Sequence, residues 1–159
     1  MRKLLILILL AILPLAAFAQ RDSVHVKTSI YELMYSEKYK EPIWVKYTVK
    51  CPTGTASRAG MDFYTNDSIK TSTNADYVNN LYDKGHMAPD GDLSWGDQVE
   101  YESFLMTNMN PQAGSLNRGI WKLLETSVRG WSFQLNSPFT TYVGAIYSNS
   151  DKTIGKGVR

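Results

Sequence analysis

A single cysteine, Cys51, in a chain of 159 residues constrains the fold more than any other feature. No intramolecular disulfide can close, and one cysteine with two histidines cannot complete a structural zinc site of the Cys₄ or Cys₂His₂ kind. Whatever this chain folds into must therefore be held by packing. A metal, if one is used, would meet oxygen ligands, which points to magnesium, manganese or calcium.

Packing requires length, and the N-terminus removes some of it. The segment MRKLLILILLAILPLAAFAQ places Arg2 and Lys3 ahead of an apolar run and ends in Ala17-Phe18-Ala19, the pattern of a secretory signal peptide cleaved near Ala19. The run from Leu4 to Ala19 is short for a membrane span. The expectation is a signal peptide over 1–19, a domain over 20–159, no stable membrane anchor, and a secreted or periplasmic protein. The 139 residues after Gln20 are enough for one domain with its own core. Losing Arg2 and Lys3 leaves 15 basic against 15 acidic residues, so the formal charge of +2 belongs to the signal. Any polyanion must be gripped by a local cluster of charge, because no global field would draw it in.

Periodicity gives the coarse architecture. In EPIWVKYTVKC, Ile43, Val45, Tyr47 and Val49 alternate with Trp44, Lys46, Thr48 and Lys50, which predicts a half-buried strand. CPTGTASRAG reads as a loop, DQVEYESFLMTNM as a helix turning extended by Phe104 to Met106, and SPFTTYVGAIYS as a strand. LNRGIWKLLETSVRG carries Leu116, Ile120, Leu124 and Val128 every four residues, a helix with one apolar stripe and Gly130 as its C-cap. Tyr82, Trp95 and Trp121 read as core. Strands and helices do not alternate regularly, which favours α+β over a doubly wound sheet.

Chemistry concentrates in three places. YDKGHMAPDGD sets His86 among Asp83, Lys84 and further aspartates; TNMNPQ supplies Asn108; and SLNRGIWKLLE supplies Asn117 and Glu125. On a helix, Asn117, Trp121 and Glu125 follow at i+4 and lie along one face, against which a loop carrying His86 could dock. Each residue also has an ordinary structural use. His86 could bond Asp83 or Asp90, Asn117 could cap a helix, Glu125 could pair with Arg129, Asn108 could serve a turn, and Arg58 could be a solvated loop charge.

Taken together, DKGHMAP, NMNPQ and NRGIWKLLE, in this order and spacing, resemble the signature of the DNA/RNA non-specific endonucleases of the ββα-metal (His-Me finger) class, over about residues 46–147. The resemblance implies a ββα-metal core on a mostly antiparallel sheet and a secreted nuclease acting on DNA and RNA. It implies His86 as general base, Asn117 as the one direct ligand of a hydrated Mg²⁺ (Mn²⁺ able to substitute), and Glu125 holding waters of that ion. Asn108 would order the site, Arg58 would meet the phosphate, and Lys84 and Arg118 would bind substrate. Lys84 stands where the family more often has arginine, so a point charge replaces a bidentate fork and weaker geometric control is expected. The chain ends at TIGKGVR where related proteins continue, which reads as a C-terminally incomplete domain. The competing reading is a catalytically inactive polyanion-binding protein of the same fold, which would keep Arg58, Lys84, Arg118 and Lys122 and have no use for His86.

Overall fold

Strand β3 (Glu41–Val49) has the expected two faces: Val45, Tyr47 and Val49 are buried, while Trp44, Lys46 and Thr48 are partly exposed. It lies inside a four-stranded antiparallel sheet of order β1-β2-β3-β6, with β1 at Ser23–Lys27, β2 at Tyr31–Ser36 and β6 at Phe139–Gly144. The computed structural model describes residues 22–50, 57–66, 68–148 and 152–159, with backbone only at residues 97, 98 and 100. The expected signal segment and Cys51 lie outside the described residues. Among them, no helix is long and apolar enough to cross a membrane.

The β2–β3 connection turns at Lys40 in the left-handed region (φ 58°), and a bulge at Met34/Tyr35 resets the register so that Tyr35 faces Pro42. Leu33, Tyr35, Val45 and Val49 form the centre of the core with no residual exposure. Burying each such aliphatic side chain is worth about 1.5–3 kcal/mol. Met87, Ala88 and Leu93 belong to the same core, so the segment just after His86 is anchored in it.

Strands β4 (Tyr82–His86) and β5 (Met109–Ala113) form a separate antiparallel pair, with Lys84 opposite Pro111 and His86 opposite Met109. Helices α1 (Asp90–Leu93) and α2 (Asp97–Ser103) lie between them in sequence. After β5 the chain widens into a π-type turn, Leu116–Trp121, and continues as helix α3 (Lys122–Leu135) before β6. The architecture is α+β, with a β-β-α arrangement in β4, β5 and α3.

Four local expectations are corrected. The segment after α2 is not extended through Met106: Leu105 alone adopts extended geometry, a 3₁₀ turn follows at Met106–Asn108, and the strand begins at Met109. Gly130 lies inside α3, and the helix instead ends at Asn136 in the left-handed conformation (φ 44°). The stripe expected to be buried is largely exposed: Ile120 is 65% and Leu124 47% accessible, and only Val128 packs against the core. Tyr82, expected in the core, is exposed, while Trp95 packs against the core and Trp121 is half-buried.

Candidate active site

The β4–β5 pair carries the first wall of the site. Residues two apart on a strand share a face, so Lys84 and His86 project together. Gly85 between them leaves room for the Gln112 side chain on the partner strand, which a Cβ there would overlap and have to displace. Asn108, fully buried, fastens the segment after His86. Its amide nitrogen donates to the carbonyls of Ala88 and Ser103 and its amide oxygen accepts from the Ala88 N–H, each at 2.9 Å, while the Asn108 carbonyl accepts from the Met87 N–H. Asn108 was grouped with the chemistry by resemblance; the structure places it behind the cleft, where it holds backbone.

The second wall comes from the π-type turn and α3. A cleft of about 360 Å³ separates the walls, and Arg58, Lys84, His86, Asn117, Arg118 and Glu125 all line it, joined by Phe63, Pro89, Asp90, Gly91, Lys122 and Arg129. Five basic side chains line it with the acidic Asp90 and Glu125, and three of the five are bridged to carboxylates: Arg58 to Asp90, Arg118 to Asp83 and Arg129 to Asp92. Trp121 Nε1 donates to the His86 carbonyl at 3.3 Å, so the helix docks on the histidine loop.

His86 packs edge-on against Phe104 (4.9 Å between centroids) and near Phe63 (5.8 Å). Burial pushes its pKa down to about 4, with Asp90 opposing and Arg58 reinforcing the shift. The ring is therefore neutral at pH 7, and its buried Nε2 has no hydrogen-bond partner among the described residues. Glu125 moves the other way: burial first, then the charges of Asp92 and Asp90, push it up to about 7 against the pull of Arg129 and Lys122. Lys84 Nζ lies 4.6 Å from the centre of the Phe63 ring and 5.6 Å from that of Tyr77, so two aromatic faces hold the ammonium. Arg58 sits over the Phe104 ring and 3.5 Å from Asp90.

The structural alternatives resolve as follows. His86 makes no side-chain hydrogen bond to Asp83 or Asp90 that would idle its Nε2. Arg129 pairs at 2.5 Å with fully buried Asp92, whose pKa burial raises against the pull of Arg129. Asn117 lies within the π-type turn, whose N-cap is Ser115, and its amide nitrogen donates to Asp83 Oδ2 at 3.0 Å. The same carboxylate takes Arg118 Nη1 at 2.7 and 2.8 Å. The anchoring of Asp83, the Asp92–Arg129 pair and Phe63 were not legible in the sequence, since none sits at a helical or strand spacing from the residue it serves.

The donors fit one kind of metal better than others. Among the described residues no three His, Cys, Asp or Glu side chains gather into a cage. Asn117 and Glu125 offer oxygen only, which suits an ion that keeps most of its water, as Mg²⁺ does.

The profile of the DNA/RNA non-specific endonuclease family matches residues 16–159. The chain is 30% identical over 100 residues to mitochondrial Endonuclease G of Bos taurus, covering 60% of this chain and 33% of that protein. It is 32% identical over 102 residues to mitochondrial Nuclease EXOG of Danio rerio, covering 61% and 30%. It thus spans about a third of the length of these relatives. Among solved structures it superposes on an EndoG/EndoGI complex with a TM-score of 0.75 at 28% identity, covering 84% of this chain and 62% of that one.

Proposed function

Because the chain belongs to the DNA/RNA non-specific endonuclease family, we propose that it is a metal-dependent endonuclease that hydrolyses phosphodiester bonds of DNA and RNA with little sequence preference. The observation that carries this is a neutral histidine whose Nε2 has no partner among the described residues, in one cleft with an oxygen donor set and basic side chains. His86 takes the proton of the attacking water, a task for a neutral imidazole. Arg58, Lys84, Arg118 and Lys122 meet phosphate oxygens. Phosphate carries no base information, so cleavage on such contacts is indifferent to sequence. Asn117 would be the direct ligand of hydrated Mg²⁺ and Glu125 would hold waters of that ion, which would supply charge stabilisation at the phosphoryl oxygens.

Lys84 differs from the arginine common in the family, and its ammonium is held by Phe63 and Tyr77. This support offsets part of the lost fork geometry by restricting where the point charge sits. Residues 1–19 would direct export, leaving the domain in the periplasm or medium. Intact mass of exported protein beginning near Gln20 supports that; Met1 retained in a membrane fraction defeats it.

Plasmid nicking with Mg²⁺, with and without EDTA, is the deciding assay. Nicking should require the metal, and His86→Ala should lower turnover by about 10² to 10⁴ with DNA binding preserved. Metal-independent nicking, or a fully active His86→Ala, would remove the reading. Binding without cutting in the parent protein would favour the inactive polyanion binder.

A further inference from the structure

We propose that Asp83 sets the orientation of the Asn117 side-chain amide, turning its nitrogen away and leaving its oxygen for the cleft, and so is a positioning residue for the metal-holding end of the site. This rests on the reading that Asn117 holds the ion. A side-chain amide is two-ended: its oxygen and nitrogen occupy nearly the same shape, yet one accepts and the other donates. Only the oxygen can meet a hard cation, and a flipped amide would aim N–H groups at it. Something must choose.

Asp83 is suited to choose because an ionised carboxylate accepts and cannot donate. Facing it, Asn117 can present only Nδ2, as the 3.0 Å contact to Asp83 Oδ2 records. Asp83 is itself fixed twice: by β4–β5 pairing opposite Gln112, and by Arg118 Nη1 on both carboxylate oxygens. Consecutive residues of a regular α-helix point about 100° apart, so Asn117 and Arg118 would not ordinarily share one acceptor. They do here because the turn is π-type and Gly119 leaves helical geometry (φ −105°, ψ −111°). The irregular turn thus brings two neighbours onto one carboxylate 34 residues earlier in the chain.

The test is direct Mn²⁺ binding to the full chain, by electron paramagnetic resonance or calorimetry, alongside circular dichroism. Outer-shell partners of metal ligands are typically worth 10–100-fold in affinity, so Asp83→Ala should weaken Mn²⁺ binding by about tenfold or more. In the Asn117→Asp background, where either end of the side chain can meet the ion and no choice is needed, Asp83→Ala should cost little. Wild-type affinity in Asp83→Ala overturns the proposal, as does an Asp83→Ala that weakens binding as much in the Asn117→Asp background as in the parent, because charge rather than orientation would then be responsible. Asn117→Ala separates the two levels. If it binds Mn²⁺ normally, the ligand reading fails and this inference with it. If it binds weakly while Asp83→Ala binds normally, only the inference fails.

Discussion

The two walls of the cleft are held by different physics. On the histidine side, Met87, Ala88 and Asn108 are buried, and the Asn108 amide satisfies the surrounding backbone. On the helix side, α3 buries only Ser132 fully, and Ile120, Leu123 and Phe133 stand 63–72% exposed. What joins α3 to the first wall is mostly polar: Asn117 and Arg118 on Asp83, Trp121 on the His86 carbonyl, and Arg129 on Asp92. Packing fixes where the proposed base sits, whereas polar bridges fix where the proposed metal ligands sit relative to it. The helix wall is then the one expected to open first, since segments with few buried apolar contacts open at lower free energy.

The largest effect should come from breaking the most buried of those bridges. Asp92 has no exposed surface, and Arg129 reaches it at 2.5 Å with its own side chain only 25% accessible. Removing one member of a buried ion pair strands the other and typically costs about 3–5 kcal/mol. Arg129→Ala should therefore lower stability in urea by up to that amount, while Arg129→Met combined with Asp92→Leu should recover much of it. A single variant as stable as the parent would show that α3 is anchored by something other than this pair.

What the sequence disclosed follows the same division. β3 was legible because from Val45 to Val49 one face is the more buried, so Val45, Tyr47 and Val49 alternate with Lys46 and Thr48. His86, Asn117 and Glu125 were legible as motifs, and they do share one cleft. The α3 stripe misled, because recurrence at four residues reports amphipathicity and says nothing about whether a face is covered. Gly130 misled because glycine permits a helix to end without compelling it, and Asn136 takes the left-handed position six residues later. Asp83 was visible only as a flank of His86, because its bond to Asn117 depends on an irregular turn that no periodic pattern encodes.

A smaller effect would sharpen the contrast between covered and bare leucines. Leu33 is fully buried and Leu123 is 63% exposed. Leu33→Ala should cost about 2–5 kcal/mol, the usual range for an aliphatic core truncation. Leu123→Ala should stay within about 0.5 kcal/mol. Chemical denaturation of the two variants side by side measures this. A Leu123→Ala cost above about 1 kcal/mol, well outside the range of surface substitutions, would mean that this face of α3 is covered in solution.

The smallest net effect is expected from pH, because the two walls carry groups whose shifts oppose each other. Folding lowers the pKa of His86 from 6.5 to about 4, so between those values the unfolded chain binds the extra proton and stability rises with pH. Folding raises that of Glu125 from 4.5 to about 7, so between those values the folded chain binds the extra proton and stability falls as pH rises. From about pH 4.5 to 6.5 the two slopes act against each other, and with metal chelated their contributions to the melting temperature should largely offset. Glu125→Gln removes the falling contribution, so its melting temperature should climb with pH across that window more steeply than the parent's. His86→Ala removes the rising contribution and should decline relative to the parent. Melts at pH 4.5, 5.5 and 6.5 decide it through the difference in slope between each variant and the parent, which cancels the titration of groups not coupled to either side chain. Two variants that track the parent in parallel would show that neither side chain has the environment the folded cleft gives it, and the contrast between a dry base and a protonatable carboxylate would be lost.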